Sequence, residues 1–187
     1  MSKTVLAFVG MAGSGKSTCI DHLGKKGVPS VHFGSVVIEE AKRRNNGVPN
    51  EATEKKVREE FRKKDGMAAI AKHALPTIDK TLKDNDLVIL DGLYSWSEYT
   101  LLKEVYNKKL VVIAVVASRR LRYERLAKRP FRPFTAEEAN SRDVAEIENL
   151  EKGGPIAIAD YTLTNNEKPD DLTHHLDIVL EQVGITY

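Results

Sequence analysis

The stretch Gly10-Met11-Ala12-Gly13-Ser14-Gly15-Lys16-Ser17, followed by Thr18, decides how the rest of the chain is read. It follows the short apolar run Thr4 to Val9, which has the composition of a strand buried on both faces, and a helix is expected from Lys16 to about Lys26. A G-x-x-x-x-G-K-S loop between a strand and a helix turns successive backbone N–H groups inward, where they and the positive end of the helix hold phosphate oxygens. A turn that only joined strand to helix would have no use for Lys16. We therefore expect Gly10 to Thr18 to cradle a nucleotide polyphosphate, with Lys16 at the β- and γ-phosphates and the Ser17 hydroxyl as a magnesium ligand.

Outward from this loop the pattern alternates. Short strands are expected at Pro29 to Phe33, Asp86 to Asp91, Leu110 to Ala117 and Tyr161 to Thr164, and helices at Val36 to Arg44, Glu51 to Lys64, Met67 to Leu82, Ser118 to about Lys128, Thr135 to about Leu150 and Leu172 to Val183. Asn50 and Ser118 are suited to cap helices, and Thr135 with Glu138 makes a capping box. Arg129 to Phe134 holds two prolines and must be irregular. Alternating strands and helices give an α/β fold of three layers, a parallel sheet with helices on both faces, and ligands bind at the carboxyl ends of its strands.

A chain of 187 residues, 41% of them hydrophobic, supports one core, so a single domain over 1–187 is expected. The formal net charge of +2 is too small to attract nucleic acid or a membrane surface by bulk electrostatics. One cysteine, Cys19, forms no intramolecular disulfide, and Met1 to Val9 lacks the pattern of a secretory leader. A cytoplasmic location without a membrane role is the expectation.

Two further features carry chemistry. Asp91 ends an apolar strand, where a carboxylate holds magnesium through water or orients the acceptor, or else serves as a hydrogen-bonded strand terminus. Among the many arginines after residue 118, Arg122, Arg125 and Arg129 share one helix face, and Arg132 and Arg142 would approach from the segment and helix that follow. Phosphoryl transfer mostly needs positive charge set against the transferring oxygens, so residues 119–152 suit a closing lid. A solvated helix whose arginines pair with Glu124, Glu137 or Glu138 is the alternative.

These residues resemble the P-loop nucleoside and nucleotide kinases, and more narrowly dephospho-CoA kinase and the archaeal proteins of unknown function related to it. The resemblance rests on Val9 to Ser17, Glu39 to Arg44, Arg62 to Lys72, Asp91-Gly92, Arg122 to Arg129, Arg142-Asp143 and Ile156 to Tyr161, and with the archaeal proteins it extends over nearly the whole chain. It implies a five-stranded sheet of order 2-3-1-4-5, an acceptor-binding helical region at 34–83, Arg125 near the adenine and lid phosphates, Arg129 beside the phosphates, and a loop at Asn165 and Asn166 near the base. ATP and magnesium are the implied cofactors.

The chain departs from the resemblance where an acceptor phosphate would sit. Gly34-Ser35-Val36-Val37-Ile38 replaces a G-D-x-x-R pattern, and Tyr94 follows Asp91-Gly92-Leu93 where relatives carry arginine. Tyrosine does not replace the bidentate grip of a guanidinium. Arg43, Arg44, Arg58 and Arg62 are the substitutes, with Arg62 the best placed, and Tyr94, Trp96 and Tyr99 offer aromatic faces unless Trp96 anchors the helix that follows. His32 and His73 are left outside the site. The expected activity is transfer of the ATP γ-phosphoryl to a small nucleotide-like acceptor by a monomer or homodimer. The alternative is a nucleotide-dependent ATPase switch acting on a protein or RNA partner.

Overall fold

Val5, Ala7 and Val9 project to one face of strand β1 (Thr4–Val9) and Leu6 and Phe8 to the other, and all five are buried. A strand covered on both faces belongs at the middle of a sheet. The structure is a computed structural model that describes residues 3–48, 50–130 and 132–185. Strands β2 (Ser30–His32), β3 (Leu87–Asp91), β4 (Leu110–Val116) and β5 (Tyr161–Thr164) complete an all-parallel sheet of order β2-β3-β1-β4-β5.

Helices cover both faces. On one, α2 (Gly34–Arg44), α3 (Glu51–Asp65), α4 (Ala69–Asp84) and α5 (Trp96–Tyr106) bring Val37, Val57, Ile78 and Leu102 against the odd-numbered residues of β1. On the other, α1 (Lys16–Lys25) and α9 (Pro169–Gln182) bring Cys19, Leu23, Leu172 and Leu176 against Leu6 and Phe8. Each fully buried leucine or phenylalanine stabilises by about 1.5–3 kcal/mol relative to an exposed one, and truncating Leu6 or Phe8 to alanine would cost about 2–5 kcal/mol through the cavity left behind.

Helix α6 (Arg119–Ala127), α7 (Ala136–Leu150) and the short α8 (Gly153–Ala157) lead from the end of β4 to β5. The expected caps are present: the Asn50 side chain accepts from Thr53 N, Ser118 from Leu121 N, and Thr135 with Glu138 closes its box. Among the described α-helices, α5 and α8 had no expected boundaries. The first is fixed by a second capping box, Ser95 with Glu98. No described helix is long and apolar enough to cross a membrane.

Candidate phosphate-binding and acceptor site

The register of the sheet assembles the site. His32 of β2 lies beside Asp91 of β3, and Asp91 lies beside Phe8 of β1, so the ends of three strands meet just below the glycine-rich loop. His32 Nδ1 and Asp91 Oδ2 stand 2.9 Å apart, and the hydrogen bond to Asp91 raises the histidine pKa.

Two glycines permit the loop. Gly10 (φ 145°) and Gly15 (φ 110°) have backbone that L side chains rarely adopt, and an added Cβ would come within 2.2 Å of Val115 O at the first and 2.1 Å of Asn165 Nδ2 at the second. Lys16 Nζ donates to the carbonyl oxygens of Gly10 at 2.7 Å and Met11 at 3.2 Å. Burial, and after it the charge of Lys152, brings the Lys16 pKa down to about 7.

A cavity of about 420 Å³ opens beside the loop. Of the expected cradle, Ala12, Gly13, Gly15, Lys16 and Ser17 line it, while Gly10, Met11 and Ser14 stand behind, holding Lys16 and Asn165 through their carbonyl groups. Thr18 borders a different, smaller hollow of about 270 Å³ with Asp21 and Asp170. The candidate site residues Asp91, Tyr94, Arg125, Arg129 and Arg142 line the cavity, together with Glu146 and Lys152, which were not singled out from sequence, and His32, which was left outside the site and which the pairing of β2 with β3 brings into it. Among the described residues five cationic side chains face two carboxylates there, which favours a polyanion.

The expected lid arginines separate by role. Arg122 does not share an anion with Arg125 and Arg129: it is buried, bonds both carboxylate oxygens of Asp143 at 2.9 and 2.6 Å, and donates to Ala12 O at 3.0 Å. Arg125 donates through Nη2 to Asn165 O at 3.0 Å and Oδ1 at 3.3 Å, leaving its buried Nη1 without a hydrogen-bond partner. Arg132 is exposed and is not among the lining residues. Asn165 likewise stays out of the lining, its Nδ2 donating to Ser14 O at 2.7 Å, so it props the loop from behind. Asn166 accepts from Ser118 N instead of facing the cavity.

A second cavity of about 390 Å³ lies beyond, between α2, α3, α4 and α7, and His32, Tyr94, Arg142 and Glu146 line both. Ile38 and Tyr94 stand in its wall where arginines were absent from the sequence pattern, and Arg58 and Arg62 of α3 enter it. The buried Arg62 Nε has no hydrogen-bond partner. Arg43 and Arg44 are not available there: Arg43 pairs with Glu40, and Arg44 with Glu40 and Glu60. Glu98 lies in the same wall, its carboxyl taking hydrogen bonds from Tyr94 N at 2.8 Å and Ser95 N at 3.1 Å, and burial pushes its pKa up to about 7. Trp96 lines neither cavity. An added Cβ on Gly154 would meet its ring at 2.6 Å, so it joins α5 to α8, and its ring stacks on that of Tyr99.

A loop of this kind after the central strand of a 2-3-1-4-5 parallel sheet, with an arginine-bearing helix pair beyond the fourth strand, is the P-loop kinase fold. Similar folds are seen in TT1252 from Thermus thermophilus (TM-score 0.68, 19% identity, 97% of this chain and 98% of that one) and in the shikimate kinase from Bacteroides thetaiotaomicron (TM-score 0.58, 15% identity, 95% and 98%). A family model described as an AAA domain matches residues 6–146. The UPF0200 protein of Thermococcus sibiricus is 35% identical over 185 residues, covering 97% of this chain and 96% of its own length. The chain belongs to the UPF0200 family.

Proposed function

We propose that the protein is an ATP- and magnesium-dependent phosphotransferase of the cytoplasm that acts on a small nucleotide-like acceptor. The observation that carries this is the pair of cavities: the one beside the glycine-rich loop joins a second, separately lined one through His32, Tyr94, Arg142 and Glu146. A nucleotide-hydrolysing switch has no need of the second. In the proposed division, residues 34–83 hold the acceptor and residues 119–152 form the lid.

The residues present fit the nucleotide. The positive-φ glycines and the unpartnered Nη1 of Arg125 suit phosphate oxygens, and Asn165 fixes both the loop and that arginine from behind. They also fit magnesium. Among the described residues no three His, Cys, Asp or Glu side chains come together to hold a metal. Ser17 and Asp91 line one cavity, and one hydroxyl with one carboxylate suits an ion that keeps waters and takes its remaining oxygens from the phosphates. Bound there, magnesium would neutralise phosphate charge.

The chain's own groups do the rest. Lys16 leaves the Gly10 and Met11 carbonyls for the β- and γ-phosphates, while Arg125 and Arg129 set positive charge against the transferring oxygens. His32 occupies Oδ2 of Asp91, which leaves Oδ1 to accept the hydrogen of an attacking hydroxyl. Tyr94, Arg62 and Arg142 hold the acceptor from the second cavity.

The test is turnover of ATP with magnesium over a panel of nucleosides, nucleoside monophosphates and dephospho-CoA. Acceptor-dependent formation of ADP is expected. Binding of ATP with no acceptor effect, and with hydrolysis that a protein or RNA partner alters, would replace this reading with the switch.

A further inference from the structure

Lys152 is the most deeply buried cation in the described structure, at 1% exposure, and it sits where the chain reverses after α7. Glu151 takes a left-handed backbone (φ 52°) and Lys152 N donates to Glu146 O at 3.2 Å, which turns the side chain inward. Its ammonium donates to Glu146 Oε2 at 2.6 Å and lies 4.8 Å from the centroid of the Tyr94 ring. A methionine would fill this place without the desolvation of a charge, so packing does not account for the ammonium.

Its neighbours point to an anion. Lys152 lines the phosphate cavity and not the acceptor cavity. The other oxygen of Glu146 accepts from Arg142 Nε at 3.0 Å, so one carboxylate holds two cations at the wall of the same cavity. Lys16 lines the same cavity, and the charge of Lys152 is among those that depress its pKa, which places the two ammonium groups within reach of one another's fields. A group carrying several negative oxygens between them would relieve that repulsion.

We propose that Lys152 is a second lysine for the terminal phosphoryl group of the bound triphosphate. It approaches from the end of α7, and Glu146 holds it at the cavity wall. On entry of the nucleotide, Lys152 exchanges part of its contact with Glu146 for a γ-phosphate oxygen, so two ammonium groups flank the group to be transferred. The inference rests on the nucleotide reading above.

The experiment compares wild type with Lys152→Met for binding of a non-hydrolysable ATP analogue and of ADP, each with magnesium, by calorimetry. A charge-assisted hydrogen bond made only to the γ-phosphate predicts loss of about tenfold or more for the analogue, with ADP changed by less than about threefold. Equal loss for both ligands, or no loss for either, overturns the inference and gives Lys152 a structural role as the counter-ion of Glu146. Should Lys152→Met fail to fold, the double variant Glu146→Gln/Lys152→Met leaves no unpaired buried charge from this pair and carries the same comparison. Wild type that binds neither ligand overturns the nucleotide reading itself, whereas wild type that binds both, beside a variant with no γ-phosphate-selective loss, overturns only the role of Lys152.

Discussion

Arg122 and Asp143 face one another across α6 and α7 as a buried two-pronged ion pair, with N–O distances of 2.9 and 2.6 Å, and the same guanidinium reaches Ala12 O in the phosphate loop. The pair ties α6 and α7 to the glycine-rich loop. Removing one partner strands a buried charge, so Asp143→Ala is expected to cost about 3–5 kcal/mol, while the double variant Arg122→Met/Asp143→Leu recovers most of that loss. Arg125, three residues on, should divide differently: Arg125→Met lowers affinity for an ATP analogue and costs less stability than Asp143→Ala, because it removes hydrogen bonds to Asn165 without stranding a buried charge. Urea unfolding and calorimetry on the three variants check this, and Arg125→Met destabilised as strongly as Asp143→Ala would contradict the division of roles.

Lys16 supplies the second prediction. Its pKa of about 7 in the folded protein lies below the ordinary 10.5, through burial first and Lys152 second. Between these values the unfolded chain binds more protons than the folded one, so the contribution of Lys16 to stability rises with pH across that window. Lys16→Met removes the titration. The melting temperature of wild type minus that of the variant should therefore become more positive from about pH 6.5 to about pH 9, with the variant the more stable at the lower end. Phosphate oxygens restore the ammonium, so nucleotide binding near pH 8 should take up a proton, read as a dependence of the calorimetric heat on the buffer's ionisation enthalpy. Melting curves that stay parallel and heats that ignore the buffer would count against this account.

Much of this arrangement is legible from local sequence. The apolar runs of β1, β3 and β4, the glycine-rich loop and the caps at Asn50, Ser118 and Thr135 each depend on residues a few positions apart. Ser95-Trp96-Ser97-Glu98 carries the same capping signal, so α5 was within reach of the sequence. The rest depends on distance in the chain. Helical spacing groups Arg122 with Arg125, and only the approach of Asp143 from α7 decides that the first is spent. His32 meets Asp91 because β2 pairs with β3, strands separated by α2, α3 and α4. Lys152 meets Glu146 because Glu151 takes a left-handed turn that its residue type does not announce.

Asn165 is expected to act on binding through the loop it supports. Its side chain donates to Ser14 O and accepts from Arg125 Nη2, so Asn165→Ala leaves a buried carbonyl without that partner. A loss of about 1–3 kcal/mol in urea unfolding should accompany weaker binding of ADP and of an ATP analogue alike, since the whole cradle is loosened. Unchanged stability with weakened binding would instead give Asn165 a direct contact with the nucleotide.

Glu98 joins stability to the second cavity. Burial raises its carboxyl from the ordinary 4.5 to about 7, against the pull of hydrogen bonds from Tyr94 N and Ser95 N and the charge of Arg62. Here the folded state binds the extra proton between those two values, so stability falls as pH rises through the window. Glu98→Gln keeps an oxygen for both backbone donors and cannot ionise, so it should flatten the fall and melt higher than wild type at about pH 8. Glu98→Ala removes the cap as well and should lie about 1 kcal/mol below Glu98→Gln at every pH. Ionised Glu98 also opposes an anion beside Arg62 in the same wall, so an anionic acceptor should bind more tightly to Glu98→Gln than to wild type above about pH 7, with the difference shrinking as the pH is lowered. Thermal melts of the three proteins across the window, with acceptor affinity measured on both sides of it, separate a proton-linked cap from a purely structural one, which would leave wild type and Glu98→Gln parallel throughout.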